Sequence, residues 1–499
     1  MVSRASLRTA AAVGCAAALL AAGTAGDAVT QGPGAPGIGD AYFPSYGNGG
    51  YDVSHYDIRL RYDPATDRLS GTTTIVAKPT QDLTRFNLDF ALTTNAVRVN
   101  GAVASFAAEG AELVVTPPTL LRAGSLMTVV VTYTGIPSEV EVDGYTAWTR
   151  TPDGGLAVGQ PEIAWWWYPS NDHPRDKATF DISVAVPTGH EVLANGVLTG
   201  QLPQPGNQTR WSWRTTRPMA TYLAFLAIGQ YEVVTGTGSG GQPMVNAYGE
   251  NLGEYEFPAK ASIERTPEIV DFLSGVLGPY PFESQGGVVP VFGPGFALET
   301  QTRSVYDRQF FRRGSNTYVV VHENAHQWFG DSVSVRSWRD IWLNEGFATY
   351  LEWMWSEVIG EGTAQEVFEF EYAFRPVEST FWQVLPGDPG PNRIFNSAVY
   401  DRGAMTVHAL RLAVGDEAFL SILRTWVAEQ RFGNGTIEQF MALSERISGQ
   451  DLDALFRTWL FTAGRPELPG LAARTAAEVP RPRSIDMLHL THETLHATR

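Results

Sequence analysis

His322, Glu323 and His326 stand in the order His-Glu-x-x-His, and Glu345 follows after 18 intervening residues. On a helix, residues i and i+4 share one face, so both imidazoles can bind a single metal ion. Glu323 falls about a quarter-turn round that helix, within reach of a water at the ion. Glu345, on the next helix, can supply a third, anionic ligand. Three protein ligands and an open fourth position describe a catalytic zinc site holding one Zn2+ ion, rather than a structural site. The chemistry in view is metal-assisted hydrolysis, in which Glu323 takes a proton from water and passes it to a leaving amine.

The same pattern occurs a second time, at His492, Glu493 and His496. No third ligand is available after it, and Pro480, Pro482 and Arg483 precede it. This copy is therefore expected to be an incidental, frayed helix in an exposed, disordered tail over residues 470–499. Deleting that tail is expected to leave activity intact.

The elements that must position the first copy are legible on either side of it. Thr317-Tyr318-Val319-Val320-Val321 runs directly into the motif, with Ser315 or Asn316 as the cap of a buried helix. A second helix starting near Asp340 carries Trp342, Glu345, Phe347, Tyr350 and Leu351, an apolar stripe that can hold Glu345 near both histidines. Far upstream, Tyr56, Ile58, Leu60 and Tyr62 alternate with charged residues, as do Phe86, Leu88 and Phe90 with Asn87 and Asp89. Period-two alternation in short runs predicts an all-β domain over residues 51–235. The glycine-rich run 236–241 reads as a linker to a mainly helical catalytic domain over residues 236–469. Residues 27–50, rich in Gly and Pro, read as a flexible leader.

Arg4 and Arg8, an apolar stretch to about Ala22 and small residues to Ala25 have the form of a secretory signal over residues 1–26. The one cysteine, Cys15, lies inside it, so the mature chain is expected to hold no disulfide and no thiol nucleophile. Lipid anchoring at Cys15 stays open as an alternative, against which the apolar run before it is very short, and no later segment has the length of a membrane span. A secreted, extracellular protein is the expectation. A net charge of −17 argues against nucleic-acid partners.

The residues around the motif resemble the aminopeptidase N family of zinc metallopeptidases, of the gluzincin type, in a short secreted form. Val321 through Gly330, VHENAHQWFG, and Trp342 through Ala348, WLNEGFA, are close to that family's zinc signature. The resemblance extends over about Tyr51 to Pro469. Phe296-Ala297-Leu298-Glu299-Thr300 sits where the family's G-x-M-E-N exopeptidase motif belongs; it departs at the first, third and last positions and keeps the glutamate. Gln160-Pro161-Glu162 resembles the Q-x-E segment, and Val399-Tyr400-Asp401-Arg402-Gly403 resembles V-Y-E-K-G. Asn324 replaces the usual apolar residue inside the metal helix and needs hydrogen-bond partners if buried.

The resemblance implies a saddle-like β domain followed by a thermolysin-like, mainly α catalytic domain. It implies metal ligation by His322, His326 and Glu345, Glu323 as general base, and Tyr400 as donor to the developing oxyanion. Glu299 and Glu162 would clamp a free α-ammonium, with Ala297 lying along the substrate backbone. Peptides with a free N-terminus are then the expected substrates. An endopeptidase with the same metal chemistry, a catalytically silent binding module, and an epoxide or lactone hydrolase on this scaffold stay open as alternatives.

Overall fold

The computed structural model describes residues 31–142, 145–468 and 474–496. The signal segment and Cys15 lie outside the described residues. The strand Tyr51–Asp63 is the centre of the N-terminal half. Its alternating pattern buries Tyr56, Ile58, Leu60 and Tyr62 and exposes Arg59 and Arg61. It pairs antiparallel with Arg68–Pro79 and parallel with Ala178–Pro187, inside an eight-stranded sheet. β-branched and aromatic residues at every second position give the sheet one apolar face to pack, which is why these runs become strands.

From Tyr231 onward the chain builds a second unit. A five-stranded sheet runs in the order Tyr231–Thr237, Pro243–Gly249, Gly287–Val289, Ser304–Tyr306, Ala297–Leu298. Helices dominate after it, so a β-rich N-terminal domain is followed by an α-rich one. The helix Trp342–Val358 is the hub, buried along most of its length and packed on both Thr317–Ala325 and Gly403–Val414. Gly346 and Gly403 meet at that second contact: a Cβ on Gly403 would fall 3.0 Å from the Gly346 Cα and 2.6 Å from Trp342. Only glycines allow the two helices to approach so closely.

Three sequence expectations do not hold in the structure. The glycine-rich run 236–241 is no linker: it turns the antiparallel hairpin of Tyr231–Thr237 with Pro243–Gly249, so the second unit begins before it. The described part of the leader, residues 31–50, is tied down. Asp40, 3% exposed, binds His173 Nε2 at 3.1 Å and accepts from Ser337 Oγ and the Trp338 amide, both at 2.9 Å. Gly and Pro composition set the backbone conformation, while a few polar side chains anchored it. The supposed tail is also ordered: Ile485–His496 is a helix whose Leu488, Leu490, Thr491, His492 and Leu495 are buried.

Candidate metal centre and active site

Asn316, not Ser315, caps the motif helix, accepting from the Tyr318 and Val319 amides at 3.1 and 3.4 Å. Val319, Val320 and Val321 are fully buried and fix the helix against its neighbours. Asn324 is buried too, and its amide donates to the Val320 carbonyl at 2.8 Å and the Tyr306 hydroxyl at 3.4 Å. The polar substitution in the helix is thus satisfied locally.

The two histidines and Glu345 come together as the sequence predicts. His322 Nε2 and His326 Nε2 each lie 3.4 Å from Glu345 Oε2, and all three residues are about 1% exposed. They form the metal-binding group found among the described residues, with ligand atoms within 4.8 Å of one another. The opposite ring nitrogens are held from behind: His322 Nδ1 faces Glu352 Oε1 at 2.6 Å, and His326 Nδ1 faces the Phe329 carbonyl at 2.9 Å. Since both partners are acceptors, each Nδ1 carries a proton, and Nε2 is the nitrogen left to ligate a metal ion. Neither Glu345 oxygen has a hydrogen-bond partner among the described residues. A buried carboxylate left this way, facing two imidazole Nε2 atoms, fits a zinc ion.

The local field agrees with that fit. Burial works against charge on His326, but carboxylates led by Glu299 and Glu345, with Glu323 adding, push it up to about 10. Burial alone would raise Glu345, yet the two imidazoles outweigh it and hold its carboxyl well below the usual range. Positive charge is favoured at this point in the fold.

Glu323 is 1% exposed on the same helix turn. Tyr400 is fully buried in a single π turn, Ala398–Arg402, and its ring lies parallel to that of His322 with centroids 6.0 Å apart. Such turns recur at functional sites because the extra residue re-aims one side chain. Glu299 follows the edge strand Ala297–Leu298 and is 1% exposed. Its Oε1 accepts from Gln160 Nε2 at 3.2 Å and from Tyr222 hydroxyl at 3.1 Å. Glu162 stands two residues beyond Gln160, half-buried. A cleft of about 590 Å³ runs past Gln160, Pro161, Phe296 and the 391–397 segment.

Several participants escaped the sequence reading. Glu352 could have been found, because it lies seven residues after Glu345 and so returns to the same helix face. Tyr222 carried no local signal. Most important is the second motif, which is not an exposed tail. His492 Nδ1 lies 2.6 Å from Asp401 Oδ1 and its Nε2 lies 3.2 Å from Glu352 Oε1. His496 meets Tyr400 edge-on, with centroids 4.5 Å apart, and lines the cleft. The tail reading failed because the partners of this helix come from residues 312–316, 352 and 401, far away in sequence.

With this geometry in hand, the likenesses of the chain are specific. The model of the Peptidase M1 N-terminal domain matches residues 53–223, and that of the Peptidase family M1 domain matches residues 295–459. The crystal structure of an M1 zinc metallopeptidase from Deinococcus radiodurans superposes with a TM-score of 0.75 at 31% identity, covering 88% of this chain and 99% of that one. A mutant of the Deinococcus radiodurans protein bound to a Tyr-Ser-Ala substrate gives a TM-score of 0.76 at 30% identity, covering 87% and 99%. Aminopeptidase N of Streptomyces lividans is 28% identical over 329 residues, which is 60% of this chain and 38% of that protein. Thus the chain spans well under half the length of the curated relatives it matches, and nearly all of the solved two-domain structures. No helix among the described residues is long and apolar enough to cross a membrane. The chain belongs to peptidase family M1.

Proposed function

We propose that this protein is a zinc-dependent aminopeptidase that removes N-terminal residues from peptides. The observation that carries the reading is Glu299, a buried carboxylate oriented by Gln160 and Tyr222 at the side of the metal group. A fixed anion there recognises the ammonium of a free N-terminus and sets the cut after the first residue. Glu162 contributes the second carboxylate of that clamp, and the edge strand at Ala297 runs along the substrate backbone.

His322, His326 and Glu345 hold the ion, which when bound supplies Lewis acidity and lowers the pKa of water to about 7. Glu323 accepts the proton of the attacking water and delivers it to the leaving amine. Tyr400 donates a hydrogen bond to the carbonyl oxygen as negative charge develops there. Glu352 and the Phe329 carbonyl keep the two imidazoles in the ligating tautomer. The Arg4/Arg8 and apolar opening of the sequence supports export of the enzyme.

The test is a panel of aminoacyl-arylamides with the same compounds N-acetylated. Cleavage confined to free amines is expected, and equal cleavage of both would replace the reading by that of an endopeptidase. Glu299→Ala should lower kcat/KM for free amines by about 10–100-fold, the size expected for loss of a charge-assisted hydrogen bond. An unchanged ratio between free and blocked substrates would remove Glu299 from the clamp.

A further inference from the structure

We infer that the C-terminal helix Ile485–His496 completes the active site, and that His492 is a positioning residue acting on both the metal ligand His322 and the Tyr400 segment. This rests on the zinc aminopeptidase reading. The helix lies beyond the residues that either family model matches.

The argument is one of connectivity. Glu352 Oε1 is shared: His322 Nδ1 sits 2.6 Å from it and His492 Nε2 3.2 Å. The other nitrogen of His492 is 2.6 Å from Asp401, the residue next to Tyr400. Asp401 continues through Arg375 to Glu371, and Glu371 Oε1 meets His489 Nε2 at 2.7 Å. Carboxylates alternate with basic side chains along this chain of contacts, and the helix Ile485–His496 supplies two of its members. Both ring nitrogens of His492 face carboxylates, so both donate and the ring is cationic. Without it, Glu352 and Asp401 would share one buried space with a cation missing between them. Each could then swing toward another partner and rotate His322 or shift Tyr400. Asn316 Nδ2 donates to Thr491 Oγ1 at 2.9 Å, so the same helix also steadies the cap of the motif helix.

The experiment uses the full chain and three variants, read by zinc affinity in chelator competition, by kcat and KM on an aminoacyl-arylamide, and by melting temperature. His492→Ala should weaken zinc binding 10–100-fold, as loss of an outer-shell partner does, and lower kcat with KM nearly unchanged. His492→Gln keeps a donor toward Glu352 and should restore zinc affinity more than kcat. His492→Asn keeps the donor toward Asp401 and should restore kcat more than zinc affinity. A lower melting temperature in all three with wild-type zinc affinity and kcat would overturn the proposal, leaving the helix merely structural. If the wild type cleaves no aminoacyl-arylamide, the aminopeptidase reading falls while the zinc measurements still decide the link to His322.

Discussion

The chain carries His-Glu-x-x-His on two helices, and the two copies do opposite work. On Thr317–Ala325 each histidine is held at Nδ1 by an acceptor and turns Nε2 toward Glu345. On Ile485–His496, His492 has a carboxylate at each nitrogen and no lone pair left to offer, while His496 packs against Tyr400. Glu323 is buried in the site, whereas Glu493 points outward to Arg312 at 3.0 Å. A five-residue pattern places two imidazoles on one face. What stands behind each ring then decides whether it becomes a ligand or a cation.

The sharpest way to break the comparison is to exchange the glutamates. Glu323→Gln is expected to lower turnover by about 10²–10⁴-fold with zinc still bound, since only proton transfer is removed. Activity close to wild type in that variant would refute the assigned base. Next in size is deletion of the second copy by ending the chain before Ile485. Glu352 and Asp401 would lose their shared cation, an effect of about 3–5 kcal/mol by analogy with broken buried ion pairs. Urea unfolding should register the loss, and an unchanged midpoint would restore the exposed tail that the sequence suggested.

A smaller effect is the pH dependence of that cation. Burial presses His492 down, but Glu352 and Asp401 outweigh it and hold it well above the usual imidazole range. The folded state therefore keeps a proton that the unfolded chain releases near pH 6.5. The resulting stability is complete below that pH and is lost as pH rises through the folded value, at most about 1.4 kcal/mol per unit. The stability gap between wild type and His492→Asn should accordingly narrow on going from pH 6 to alkaline pH. The smallest change expected is in Glu493→Gln. Its partner is a surface arginine and its own side chain is 69% exposed, so less than about 1 kcal/mol and no activity should be lost. A substantial fall in turnover there would mean that the second copy does chemistry.

The metal-binding residues and the two helices were legible because helical periodicity is local: it puts His322 and His326 on one face, and an apolar stripe packs the next helix so that Glu345 meets them. The β domain was legible for the same reason, from alternation in Tyr51–Asp63. What the sequence concealed depends on single long-range ties. Asp40 anchors a Gly/Pro-rich leader to Trp338, and Glu352 joins a metal ligand to a helix 140 residues away. Composition reads such segments as loose because it measures how little apolar surface they bury, not which polar atom finds a partner.

Phe43, Tyr46 and His496 all line the same cleft. Its walls are therefore drawn from segments far apart along the chain. During synthesis from the N-terminus the metal helix can fold while the last of these walls is still inside the ribosome. A nascent chain would thus lack a finished cleft until the helix Ile485–His496 has emerged and packed.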